Sequence, residues 1–166
     1  GGHLRADMVK VVDALKRHGY YFLETISPAG VHRYDTINAI HYAIPYEPSL
    51  AGVVEIGAHP ATGIISFTVT EAGYYLDDQN RLDLSFTDLQ ADIERVRAGQ
   101  VGQTIYGALV TILRARIANG VGKVSLLSCD NLRHNGDKFR GGFLQFLDLI
   151  GDTELRAWVE ENTTSP

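Results

Sequence analysis

Two short apolar runs, each leading through a polar turn into a segment with helical spacing, restrict this chain to few folds. The first is Ile64-Ile65-Ser66-Phe67-Thr68-Val69, rich in β-branched and aromatic residues and lacking clean alternation. A strand of that kind is expected with both faces covered, as in a parallel sheet. The second is the strand Lys123 to Leu127, followed by Phe139, Phe143, Phe146, Leu147 and Ile150 at helical intervals over 137–150. Between them lie two more helical patterns. Ser85-x-x-Asp88 reads as a capping box opening a helix to about Arg97. Ile105, Ala108, Leu109, Ile112, Leu113 and Ile117 share one face of a longer helix stopped at Asn119-Gly120. A last helix opens near Asp152-Thr153 with Leu155, Trp158 and Val159. Strand, helices, strand, helix is the order of a parallel α/β sheet.

The front of the chain follows a different pattern. Asp7 is placed to cap a helix carrying Met8, Val11, Val12 and Leu15, with His18-Gly19 as its stop. Tyr20 to Ile26 and Val31 to Tyr34 flank Ser27-Pro28-Ala29-Gly30 and predict a hairpin. Thr36 to Ile44 reads as a third strand, and Ser49 to Ile56 as a short helix beyond Pro45 and Pro48.

The polar turns are the places to look for chemistry, because open α/β sheets bind ligands at the carboxyl ends of their strands. One is Thr70-Glu71-Ala72-Gly73-Tyr74-Tyr75 and the other is Ser128-Cys129-Asp130-Asn131-Leu132-Arg133-His134-Asn135-Gly136. Short polar side chains there can hydrogen-bond a substrate. They equally suit a plain βα loop, in which Asn131 or Asn135 caps the helix and Asp130 favours its N-terminus. Other polar groups are weaker candidates. His59 is a lone loop histidine, and Asp77, Asp78 and Asp83 lack the glycine-centred spacing of a calcium loop. The six histidines are dispersed and none pairs with Cys129 at a zinc-site spacing.

Composition excludes some classes. A net charge of −5 with scattered Lys and Arg argues against nucleic acid as a partner. No apolar run reaches the roughly 18 residues of a membrane helix. The single Cys129 cannot close an intrachain disulfide, which suits the cytoplasm. There is no G-x-G-x-x-G, P-loop or G-x-S-x-G motif.

Together, Ile65-Ser66-Phe67-Thr68-Val69-Thr70-Glu71-Ala72-Gly73-Tyr74 and the segment from Ser128 to Gly136 resemble signatures of the long-chain mannitol dehydrogenase family. There a T-V-T-E-x-G-Y segment precedes an S-C-D-N-L-x-x-N-G segment by a similar distance. Leu155 to Asn162 resembles the helix that leads to the family's F-P-N-x-M-V-D segment. Gly73 to Asp77, Thr104 to Leu109 and Arg133 to Gly136 resemble the arabinitol-oxidising branch, Arg133 standing where other branches usually carry proline.

The resemblance implies an α/β fold: a partial Rossmann-like domain with a mainly parallel sheet flanked by helices, plus an antiparallel hairpin insertion near residues 20–44. Residues 1–166 would form one domain, part of an N-terminal dinucleotide-binding domain, with Gly1-Gly2-His3 compatible with a tag remnant. It implies a zinc-free, NAD-dependent oxidation of a polyol, D-arabinitol to D-xylulose. A hexitol dehydrogenase, a hexuronate reductase or a non-enzymatic ligand-binding module are the alternatives. Asn131 is the implied catalytic residue, its amide N–H stabilising developing alkoxide charge. Thr70, Glu71 and Ser128 are implied near the cofactor, and Arg5 and Asp7 near its adenosine ribose. The family's glycine-rich loop is expected upstream of Leu4 and its catalytic lysine downstream of Pro166. The chain is therefore expected to be a fragment with little or no activity of its own, which self-associates through an exposed sheet edge.

Overall fold

The structure, a computed structural model, describes residues 8–166. Arg5 and Asp7, with the segment Gly1-Gly2-His3, lie outside the described residues. The chain forms two compact units, Gly1–Pro48 and Ser49–Pro166.

In the first unit, helix α1 (Val9–His18) ends at Gly19, whose φ of 73° lets its N–H reach the Leu15 carbonyl. Lys16, Arg17 and His18 fill its last turn, where cations favour the helix dipole. Strands β1 (Tyr21–Ile26) and β2 (His32–Ile37) pair antiparallel from Tyr21↔Ile37 to Ile26↔His32. The turn between them has Gly30 at φ 78° and Ser27 Oγ accepting from the Val31 N–H. The expected third strand over 36–44 does not form. Thr36 and Ile37 belong to β2, and residues 38–43 join no strand. Ile37 already faces Tyr21, the first residue of β1, so the ladder has run out of partner.

In the second unit, α2 (Ala51–Gly57) precedes β3 (Ile64–Phe67) and a 3-10 turn over Glu71–Tyr74. Helices α3 (Thr87–Arg97) and α4 (Ile105–Ala118) then lead to β4 (Val124–Ser128). Helices α5 (Asn135–Ile150) and α6 (Thr153–Asn162) precede β5 (Thr163–Thr164). The sheet is parallel, ordered β3-β4-β5.

Beneath the sheet, Tyr106 of α4 stacks with Phe139 and Phe143 of α5, and Phe67 packs on Phe139 at 4.5 Å between ring centroids. Gly142 makes room for this: a Cβ there would strike the Tyr106 hydroxyl, which donates to the Tyr74 carbonyl at 2.8 Å. Two buried polar groups tie loops to this core. The Asp92 carboxylate accepts from Gln103 N, Thr104 N and Thr104 Oγ1. Arg116 donates to the carbonyls of Gly57, Thr62, Gly122 and Lys123, and burial lowers its pKa.

Three local expectations are corrected. β3 is covered on one face only: Ile64 and Ser66 are exposed while Ile65 and Phe67 turn inward. It is an edge strand, and its pleat alternates between core and solvent. The capping box at α3 does not form, because Asp88 Oδ2 accepts from the Tyr75 hydroxyl and the helix begins at Thr87 without a side-chain cap. Nor do Asn131 or Asn135 cap α5. His134 stands at that N-cap with φ 55° and no side-chain cap bond. Asp152 caps α6 as its sequence suggests, accepting from Leu155 N at 3.0 Å.

Candidate functional site

The parallel register sets Phe67 beside Ser128, so β3 and β4 end side by side, and Cys129 N donates to the Phe67 carbonyl at 2.8 Å. The two polar turns therefore leave the sheet at the same end, which is where a doubly wound sheet presents its ligand site.

A partly buried clamp joins them. The hydroxyls of Tyr74, from the first turn, and Ser128, at the end of β4, lie 2.6 Å apart. Both donate to Asp130 Oδ2, Ser128 at 2.6 Å and Tyr74 in a closer contact. Asp130 Oδ1 accepts from the Leu132 N–H at 3.0 Å, an Asx turn that encloses Asn131. Asn135 completes the arrangement. Its Nδ2 donates to the Ser128 carbonyl at 3.0 Å, and its Oδ1 accepts from Gly136 N.

The clamp's electrostatics follow from this geometry. Burial, and then the bond to Asp130, push the Tyr74 hydroxyl up to about 12. Desolvation also pushes Asp130 upward, but the bonds from Ser128, Tyr74, Leu132 and Asn135 outweigh it and hold the carboxyl below its ordinary range.

The side chains singled out from the sequence fall into two groups. Ser128 is buried and its hydroxyl is committed to Tyr74 and Asp130. Thr70, Glu71 and Asn131 are exposed, and their side chains have no hydrogen-bond partner among the described residues. Glu71 opens the 3-10 turn, with Thr70 immediately before it accepting Gly73 N on its carbonyl. The weaker candidates His59 and Asp77 are occupied by local structure. His59 Nδ1 accepts from Ala61 N, and Asp77 pairs with Arg81 at 2.9 Å. Among the described residues no cluster of His, Cys, Asp or Glu could hold a metal ion, and no helix is long and apolar enough to cross a membrane. The sequence reading missed Tyr74 and Asp130 as partners. They stand 56 residues apart, and no local spacing marks such a pair.

A parallel sheet with helices on its buried face and two polar turns at adjacent carboxyl ends defines an α/β domain of the Rossmann type. The chain belongs to the mannitol dehydrogenase family: residues 4–166 match the family's Rossmann domain. It is 45% identical over 166 residues to the D-arabinitol 4-dehydrogenase of Ralstonia nicotianae, covering 99% of this chain and 35% of that protein. With the enzyme of the same name from Klebsiella pneumoniae it is 44% identical at the same coverage. Among solved structures it resembles the Pseudomonas fluorescens mannitol 2-dehydrogenase ternary complex with NAD and D-mannitol. The TM-score is 0.85 at 27% identity, covering 99% of this chain and 33% of that one. A D-sorbitol dehydrogenase in substrate-free form gives a TM-score of 0.83 at 30% identity, with 99% and 34% covered. The chain thus spans about a third of the length of the relatives it matches.

Proposed function

We propose that the protein to which this domain belongs is a cytoplasmic, NAD-dependent polyol dehydrogenase that oxidises D-arabinitol to D-xylulose. The observation that carries the reading is Asn131. Its side chain is exposed after the end of β4 without a partner among the described residues, in a turn where Ser128, Asp130 and Asn135 are hydrogen-bonded. An amide N–H so placed holds the carbinol oxygen and stabilises negative charge as the hydroxyl proton leaves. The two relatives named D-arabinitol 4-dehydrogenase support the choice of polyol.

The residues at this end of the sheet fit a dinucleotide. Thr70 and Glu71 offer an uncommitted hydroxyl and carboxylate beside the strand ends, suited to the hydroxyl-rich part of such a ligand. Ser128 donates to it only by giving up its bond to Asp130, and Arg5 and Asp7, which lie outside the described residues, are proposed on the sequence resemblance alone. Bound NAD supplies the acceptor for the hydride that leaves the secondary alcohol carbon. The general base, a lysine in this reading, lies outside residues 1–166, and so does the glycine-rich phosphate loop. The 166-residue chain alone is therefore inactive, and the free edge of β3 makes it self-associate.

The test is D-arabinitol oxidation by the full-length gene product, wild type against Asn131→Ala. Wild-type NAD reduction, with kcat lowered at least about tenfold in the variant, supports both the substrate and the residue. An active wild type with an unaffected variant leaves Asn131 a structural residue. Faster turnover of mannitol or a hexuronate would move the protein to another branch. Related proteins named mannitol 2-dehydrogenase and D-mannonate oxidoreductase make those the competing substrates. A preference for NADP would correct the cofactor, as in the relative named polyol:NADP oxidoreductase.

A further inference from the structure

We propose that Asp130 is the positioning residue for Asn131, and that Tyr74 is the strut that holds Asp130 in place. The inference rests on the reading of Asn131 as the group that binds the carbinol oxygen. The two carboxylate oxygens of Asp130 do different work. Oδ1 accepts the Leu132 N–H at 3.0 Å and so closes the turn around Asn131. Oδ2 is anchored outside that turn, on Ser128 at the end of β4 and on Tyr74 across the neighbouring strand end. Tyr74 is itself tied to the core: it is 1% exposed, and its carbonyl accepts the Tyr106 hydroxyl among the buried aromatic rings. A rigid path thus runs from the core through Tyr74 and Asp130 to the backbone on both sides of Asn131.

This arrangement answers a need of the proposed chemistry. An exposed amide on a surface turn has several rotamers and a mobile backbone, and displacement by about 1 Å is enough to cost catalysis heavily. Fixing the backbone on either side removes the backbone part of that freedom without spending the amide's own hydrogen bonds. Asparagine at position 130 would weaken the device: with its oxygen kept on the Leu132 N–H, its NH2 takes the place of the charged Oδ2, so the Ser128 and Tyr74 hydroxyls lose their shared acceptor and must turn to accept instead. Phenylalanine at position 74 would remove the strut and leave the ring in place.

The experiment is a double-mutant cycle on the full-length enzyme, reading kcat for D-arabinitol with thermal unfolding alongside. Asp130→Asn and Tyr74→Phe, each alone, should lower kcat by about 10- to 100-fold. On an Asn131→Ala background each should lower it by less than about threefold further, since both act through Asn131. A general loss of structure would instead multiply with Asn131→Ala. Tyr74→Phe keeps the test decisive if Asp130→Asn does not fold. The proposal is overturned by multiplicative losses, or by wild-type kcat in both single variants. If Asn131→Ala alone leaves kcat unchanged in an active enzyme, the role of Asn131 fails and this proposal with it. If Asn131→Ala is impaired and the losses multiply, only the positioning role fails.

Discussion

Asp92 offers the sharpest test of how the second unit is held together. Its carboxylate is fully buried and accepts Gln103 N on Oδ1, and Thr104 N and Thr104 Oγ1 on Oδ2. Thr104 is in turn the N-cap of α4, accepting Gly107 N at 3.1 Å. Asp92→Asn preserves shape but sets an NH2 against a backbone N–H in either orientation, with the Thr104 hydroxyl free to turn toward only one of them. Water has no room to help. A Cβ on Gly102 would lie 3.0 Å from Asp92 Oδ2, and one on Gly107 would lie 2.7 Å from Gly102 Cα. At about 1.5–3 kcal/mol for a bond to a charged group, plus the unmet buried donor, the loss should be about 2–4 kcal/mol. For a chain of this size that is a fall of about 4–16 °C in Tm. Urea and thermal unfolding of the 166-residue chain, followed by circular dichroism, measure it. Asp92→Ala, which strands all three donors, should lose more. A loss below about 1 kcal/mol in Asp92→Asn would refute the reasoning, because it would mean these short bonds contribute no more than a neutral contact.

Two further outcomes follow from the packing and from the clamp. Gly142→Ala should destabilise by about 1–3 kcal/mol, since its methyl meets the Tyr106 hydroxyl. Gly141→Ala, with open space beside it in the same helix, should stabilise by up to about 1 kcal/mol, and chemical denaturation of both variants reads the contrast. The Tyr74 hydroxyl, raised to about 12 in the folded state, contributes stability that is complete below its ordinary value and lost as pH climbs through that raised value. Unfolding profiles across the alkaline range should show this loss. Tyr74→Phe should lack that component, and near-ultraviolet tyrosinate absorbance should show one fewer late-titrating group.

The elements most legible in the sequence are those whose burial repeats locally. The core face of α4, the phenylalanine stripe of α5 and the Asp152 cap of α6 all stand where their periods and end signals put them. The apolar runs at Ile64 and Val124 became parallel strands, and the polar turns after them came out at one end of the sheet. Less of the candidate site could be read this way. Period and composition say which side of an element is buried, not which distant group it meets. They could not show that Tyr74 and Asp130 meet across 56 residues, or that this clamp engages Ser128 and leaves Asn131 uncommitted. They could not show that Asp88 turns from its helix end to Tyr75, that β3 has one open face, or that Thr163–Thr164 joins β4 as a third strand. The alternation of strands and helices and the polar character of the turns were legible along the chain, because these depend on neighbours a few residues away. Only the folded arrangement shows which polar groups are satisfied and which have no partner among the described residues, because a hydrogen bond is made by proximity in space and leaves no periodic trace along the chain.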